Sequence, residues 1–245
     1  MVRHFGLIGR DISYSFSSDY FRDKFRQLKL NETHSYVNFD IQDIEEIKTI
    51  VAKDENLVGF NVTIPYKEAI FPYLTEIDPL AKAVGAVNTV KITENGLVGY
   101  NTDVYGFLES IALYIKKDYK KALLLGTGGA SKAVKYGLES IGMETQYVSR
   151  TASENILDYD MLTEEVMKSH QIIVNCTPVG TFPDLNKCPD IPYQFLSKKH
   201  LAFDLVYNPI RTKFLKLAAA NGAWVANGFR MLSLQADKAW EIWNE

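Results

Sequence analysis

An α/β fold in two parts is what the sequence predicts, on three observations. Strand-like and helix-like runs alternate along the whole chain. Near residue 103 hairpin signals give way to repeated strand–helix pairs, the mark of βαβ units with right-handed crossovers. A fully apolar run at 122–125, of the kind buried on both faces of a parallel sheet, then meets a glycine-rich turn and a helical segment. No internal repeat, low-complexity segment or flexible linker marks a boundary, so the change of pattern alone sets it.

Residues 5–8 read as the first strand. Phe21, Phe25 and Leu28 follow at i, i+4 and i+7, the stripe of a helix, and Ser17 or Ser18 offers a hydroxyl to cap it. Residues 36–39 are the second strand, and Ile41, Ile44, Ile47 and Val51 form the next helical stripe. A third strand at 58–62 is ended by Pro65, which suits the first turn of a helix. Asp78-Pro79 pairs a cap with a first-turn proline and opens a short helix that closes near Gly85. Residues 86–92 and 97–100, joined by Glu94-Asn95-Gly96, form a hairpin. Asp103 caps a helix through Tyr114. Beyond it, strands are expected at 122–125, 145–148, 172–174 and 201–205. Helices are expected at 129–141, 161–169, 213–220 and 231–243.

The 245 residues are 47% hydrophobic and 23% charged, which is enough apolar side chain for a large core without metal or disulfide staples. Lys+Arg 27 against Asp+Glu 30 gives a formal charge of -3, too balanced for wrapping nucleic acid or an anionic membrane. No apolar run approaches the roughly 18 residues of a membrane span, and the N-terminus lacks a signal-peptide core. Cys176 and Cys188 make no disulfide framework. His4, His34, His170 and His200 share no ligand spacing, so no metal is expected. These readings leave a soluble, cytoplasmic, enzyme-sized protein.

Within Leu123 to Ser131, Gly126 permits a tight turn and Gly128 lets the backbone approach a pyrophosphate. The following helix offers unpaired N–H groups and its positive dipole end to that anion. Ser131 stands at the third fingerprint position, small enough for close helix–strand packing. At the end of the next strand an acid would select NAD; Arg150 instead attracts a 2′-phosphate, so NADP is the expected cofactor.

Three polar constellations precede this loop. Ser15 and Ser17 can point the same way, to hold a carboxylate or to cap a helix. Asn61 and Thr63 alternate onto one face of a strand, and Lys67 lies in a first helical turn, where a cation is unfavourable. That placement suits proton transfer, although a single lysine is also an ordinary surface group. Asn88 can present an amide at a strand end. Asp103 is either a helix cap or a carboxylate that orients Lys67.

These motifs, in this order and followed by this glycine loop, resemble the shikimate dehydrogenase family. The resemblance runs over NVTIPYKE at 61–68, GAVNTV at 85–90, NTD at 101–103, GTGGAS at 126–131, SRT at 149–151, NCTPVG at 175–180 and DLVYNP at 204–209. It implies a reversible NADP-linked interconversion of shikimate and 3-dehydroshikimate in aromatic amino acid biosynthesis. Lys67 and Asp103 would be the catalytic pair. Ser15, Ser17 and Thr63 would hold the substrate carboxylate, and Asn88, Asp103 and Gln235 the ring hydroxyls, with Asn61 and Tyr207 nearby. Gly126, Thr127, Gly128, Gly129, Ala130, Ser131, Ser149, Arg150, Thr151, Thr177 and Gly228 would bind the cofactor. It also implies two domains: residues 1–102 with 226–245 for substrate, and a Rossmann-type cofactor domain at 103–225. An NAD-preferring quinate/shikimate dehydrogenase and a non-catalytic relative are the other readings. The chain departs from the family pattern at Tyr14, at Ser18-Asp19, at Glu154 and at Arg230.

Overall fold

Two six-stranded sheets organise the computed structural model, which describes residues 2–13 and 15–245. The departure at Tyr14 falls outside those residues. The chain divides into two compact units, Met1–Thr102 with Ala236–Glu245, and Asp103–Gln235. Among the described residues no helix is long and apolar enough to cross a membrane.

In the first unit the strands are β1 (Arg3–Gly9), β2 (His34–Asp40), β3 (Leu57–Val62), β4 (Glu76–Ile77), β5 (Thr89–Thr93) and β6 (Gly96–Tyr100). They lie in the order β2-β1-β3-β5-β6-β4. β1 runs parallel to both neighbours, whereas β5 is antiparallel to β3 and β6. Helices α1 (Ser17–Gln27), α2 (Glu46–Lys53), α3 (Tyr66–Ala69) and α4 (Pro79–Val84) fill the connections. Asp78 caps α4 by accepting from the backbone of Leu80 and Ala81, and Gly85 closes it in the left-handed region at φ 72.

One face of this sheet buries an aromatic cluster of Phe5, Phe21, Phe25, Tyr36 and Trp243. Trp243 belongs to the last helix, α9 (Phe229–Asn244), and its indole N–H donates to the Val90 carbonyl at 2.9 Å. Gly59 leaves room for it, since a Cβ there would stand 2.4 Å from the indole nitrogen.

Several expectations need correction. Neither Ser17 nor Ser18 caps α1: the cap position is Phe16, without a side-chain bond. Ser17 is instead the first helical residue, and Ser18 donates to the Tyr36 carbonyl at 3.3 Å. Leu28 falls past the end of α1 and is 48% exposed, so the buried stripe is Phe21 and Phe25 alone. Ile41 and Ile44 precede α2, because the Ile41 N–H prolongs the pairing of β2 with β1 by bonding the Gly9 carbonyl. The short β4 was not expected.

The second unit holds β7 (Lys121–Leu125), β8 (Glu144–Ser149), β9 (Ile156–Asp158), β10 (Ile172–Asn175), β11 (Leu201–Asp204) and β12 (Trp224–Asn227). All pairings are parallel, in the order β12-β11-β10-β7-β8-β9. This is the doubly wound dinucleotide-binding order, with the reversal between β7 and β10 and the ligand crevice off their carboxyl ends. Helices α5 (Asp103–Ile111), α6 (Gly129–Ser140), α7 (Glu164–Ser169) and α8 (Lys213–Ala220) complete it. Between Lys121 at the start of β7 and Asn175 at the end of β10 the strands at the reversal are apolar, and Ala122 to Leu125 and Ile172 to Val174 are fully buried. α5 stops at Ile111 rather than Tyr114, and α7 begins at Glu164, capped by Thr163, not at 161. β9 and β12 went unexpected.

Candidate active site

In the first unit the carboxyl ends of β1 and β3 and the two turns around β5 and β6 carry the polar residues. The loop after β1 is pinned by Asp40, whose carboxylate accepts the N–H groups of Asp11 at 2.9 Å and Ile12 at 3.2 Å. Asp11 holds a left-handed φ of 54, a conformation that this pair of bonds stabilises. Ser15 and Ser17 follow, half-buried, with the Ser17 N–H donating to the Ser15 hydroxyl at 3.3 Å. Thr63 sits just beyond β3, and its methyl group fills the space that Gly9 leaves open.

Asn61 is 4% exposed, and its amide bonds go to the protein. It accepts from the Tyr36 hydroxyl at 2.8 Å and donates to the Asn88 carbonyl at 3.2 Å and the Thr89 hydroxyl at 3.1 Å. The structure therefore makes Asn61 a brace between β2, β3 and β5. Asn88 is 2% exposed, and its amide is turned by Thr102, whose N–H it accepts at 2.7 Å and to whose hydroxyl it donates at 3.0 Å. Lys67 is half-buried in the first turn of α3, and its carbonyl accepts the Val87 N–H at 2.8 Å. The chain thus ties Lys67 to the residue before Asn88, and Asn88 to the residue before Asp103. Asp103 opens α5 and is 5% exposed. Tyr36, Thr89 and Thr102 are the participants that motif reading passed over. Their roles depend on partners on other strands.

In the second unit, Gly126 adopts φ +104 at the end of β7, a backbone that favours glycine, and a Cβ there would press within 2.9 Å of Thr177. Gly128 takes the N-cap position of α6, and a Cβ on it would meet nothing within 4 Å. The space above it, facing the first N–H groups of α6 at Gly129 and Ala130, is open to an anion. Thr127 is exposed beside it. Ser131 is fully buried and donates to the Gly128 carbonyl at 2.7 Å, closing the turn from inside. Ser149 ends β8, with Arg150 and Thr151 exposed directly after it, so a cation follows the strand end at which doubly wound folds read the ribose. Glu154, exposed in the same loop, adds no cation. These features fit a dinucleotide carrying an extra phosphate.

Further along the same edge, Thr177 donates through its N–H and its hydroxyl to the Asn175 side-chain oxygen, at 3.1 and 2.6 Å. Tyr207 is half-buried in the loop after β11. Gly228 is obligatory, because a Cβ would stand 2.2 Å from the Leu205 carbonyl. Arg230 is exposed at the start of α9, and Gln235 further along donates to the Leu232 carbonyl at 2.9 Å. Burial pushes the Cys176 thiol well above its usual range, which leaves it a passive packing group.

Burial also pushes the Asp204 carboxyl up to about 6, against hydrogen bonds from Thr212, Val206 and Asn175 that pull it down. Between the ordinary carboxylate value and about 6, the folded chain holds a proton that the unfolded chain has released. Stability from this group is complete below the unfolded value and is lost as pH rises through the folded one. A carboxyl raised by roughly two pH units corresponds to ~3 kcal/mol. Asp204→Asn cannot titrate, so denaturant unfolding of both proteins should show the wild type losing about that much relative to the variant from about pH 4 to about pH 7. A difference that stays flat across this range contradicts the assignment.

Comparison with known proteins matches residues 7–90 to the family model described as "Shikimate dehydrogenase substrate binding domain". The "Shikimate dehydrogenase (NADP(+))" of Methanococcus vannielii is 37% identical, covering 97% of this chain and 90% of that protein. Among solved structures, shikimate 5-dehydrogenase from Thermus thermophilus in complex with NADP(H) and shikimate is 31% identical with a TM-score of 0.86, covering 99% of this chain and 93% of that one. Quinate dehydrogenase from Corynebacterium glutamicum in complex with NAD is 28% identical with a TM-score of 0.85, over 99% and 93% of the two chains.

Proposed function

The chain belongs to the shikimate dehydrogenase family, and from that premise we propose that it catalyses the reversible, NADPH-dependent reduction of 3-dehydroshikimate to shikimate. It is an NADP-dependent oxidoreductase. The observation that carries the site assignment is the backbone and amide linkage running from Lys67 through Val87 and Asn88 to Thr102, with Asp103 next in the chain. It ties the backbone of Lys67 to the strand end that carries Asn88, and Asn88 to the residue that precedes Asp103, although the three are distant in sequence.

NADPH, when bound, supplies the hydride that goes to the ring carbonyl carbon. Lys67 delivers the proton to the carbonyl oxygen during reduction, and takes it from the ring hydroxyl during oxidation. Asp103 accepts a hydrogen bond from a ring hydroxyl and orients the substrate against Lys67. Ser15, Ser17 and Thr63 hold the carboxylate; Asn88, turned by Thr102, and Gln235 address the hydroxyls. Asn61 braces this set rather than reaching the ligand, and Tyr207 closes the substrate side. In this reading residues 1–102 with 226–245 form the substrate-binding part and residues 103–225 the cofactor-binding part. The turn from Gly126 to Ser131 takes the pyrophosphate, Ser149 to Thr151 the ribose phosphate, and Thr177 and Gly228 the nicotinamide side. The free thiols of Cys176 and Cys188 suit a reducing compartment, in keeping with cytoplasmic action. Sedimentation of the purified chain decides between monomer and homodimer.

Absorbance of NADPH, followed with shikimate or quinate against NADP or NAD, tests substrate and cofactor together. Turnover of shikimate with NADP is the expected result, and its absence from a folded preparation removes the proposal. Faster turnover of quinate with NAD favours the alternative enzyme. Arg150→Ala should raise KM for NADP by about 10–100-fold, since a charge-assisted bond is worth roughly 1.5–3 kcal/mol. KM for NAD, which lacks the phosphate, should barely move. Equal effects on both cofactors place Arg150 elsewhere.

A further inference from the structure

We propose that Asp204 is the positioning residue for the cofactor loops of the second unit, acting through Asn175 on Thr177 and through Val206 on Gly228; the proposal rests on reading Thr177 and Gly228 as cofactor-binding. Asp204 ends β11 and lies in register with Asn175 at the end of β10, beside the strand-order reversal. Both are fully buried. One carboxylate oxygen accepts from the Asn175 amide at 2.9 Å and from the Val206 N–H at 3.0 Å. The other accepts from the Thr212 hydroxyl at 2.6 Å.

A carboxylate accepts and never donates, which is why it can orient a neighbouring amide. Asn175 must turn its NH₂ toward Asp204, so its carbonyl oxygen faces the other way. That oxygen takes both the N–H and the hydroxyl of Thr177. Thr177 is thereby held against the Gly126 turn. On the second arm, Val206 takes its N–H to Asp204, while its carbonyl accepts the Gly228 N–H at 3.3 Å, where the chain passes with no space for a Cβ. An amide at 204 has to give its single oxygen to the Val206 N–H and the Asn175 amide together and turn its NH₂ to Thr212, so Asp204→Asn exchanges charge-assisted bonds for weaker neutral ones and loosens the hold on both arms. Burial of a charge that the chemical step does not use is explained by this constraint.

The competing view is that Asp204 only secures the start of α8 through Thr212. Four variants separate the two: Asp204→Asn, Asn175→Ala, Thr177→Ala and Thr212→Val. NADPH affinity is read by fluorescence titration, and amide hydrogen exchange of residues 176–180 is read on the cofactor-free protein. Asp204→Asn and Asn175→Ala should each weaken NADPH by about tenfold, and the double variant no more than the stronger single one. Exchange at Thr177 should accelerate in both. Thr212→Val should lower stability while leaving affinity within about twofold. A folded Asp204→Asn with wild-type affinity overturns the proposal; if that variant does not fold, unchanged affinity in Asn175→Ala overturns it. Where Thr177→Ala weakens binding and Asp204→Asn does not, only this proposal falls. Where Thr177→Ala itself leaves affinity unchanged, the cofactor role of Thr177 fails and takes the proposal with it.

Discussion

Lys67→Ala should lower kcat by about 10²–10⁴-fold while leaving KM for shikimate nearly unchanged. On the proposed roles, the proton that Lys67 would move has no substitute nearby: Asp103 would orient a hydroxyl, and the serines and Thr63 would hold the far end of the substrate. Ground-state binding therefore survives the truncation, and the loss falls on the chemical step. The variant should also fold, because what fixes α3 to the hairpin is the Lys67 carbonyl accepting the Val87 N–H, and the side chain plays no part in that bond. Lys67→Arg sharpens the experiment: it restores the charge but cannot release a proton near neutral pH. Turnover as low as that of the alanine variant identifies proton transfer as the role. Recovery with arginine would assign Lys67 to electrostatic orientation alone, and wild-type turnover in Lys67→Ala would remove it from the mechanism.

What the sequence made legible follows from how local each signal is. The β7–glycine–α6 unit was readable because a buried parallel strand is apolar at every position and its turn needs glycine at fixed places, all within a few residues. The position of Arg150, directly after the next strand, was readable for the same reason. The polar constellations could be located but not weighed. Ser17 and Ser18 carry the right hydroxyls for a cap, yet one is inside α1 and the other bonds a strand carbonyl. Asn61 resembled a ligand-binding amide until its partner Tyr36, 25 positions away, came into place across the sheet. Asp204 carries no local mark of its bond to Asn175, which lies 29 positions earlier. β9 and β12 are short edge strands, and Trp224 on β12 is 56% exposed, so neither shows the apolar alternation that pattern reading requires. The α2 stripe misled because Ile41 and Ile44 are buried or half-buried by strand and turn geometry, which can imitate helical spacing over so short a run.

Trp243→Ala should destabilise the first unit by about 4–6 kcal/mol, from roughly 3–5 for emptying a large aromatic site and about 1 for the stranded Val90 carbonyl. The indole is 2% exposed, with its ring centroid 5.0 Å from Phe5 and 5.5 Å from Phe21. Its N–H is the donor that satisfies the Val90 carbonyl, a β5 group on the other side of Gly59. The backbone around Gly59 and Val90 is held in the sheet, so the cavity cannot close by strand movement, and the upper part of the range applies. Trp243→Phe keeps an aromatic ring but no donor, and should cost about 1–3 kcal/mol, the size of one unmet buried carbonyl. Denaturant unfolding of both variants separates packing from hydrogen bonding: equal losses would mean that the Val90 bond dominates. An alanine variant with wild-type stability would mean that Ala236, Ala239 and Trp240 and the bonds to Asp237 and Asn244 hold α9 without the indole, and that the glycine at position 59 serves some other purpose.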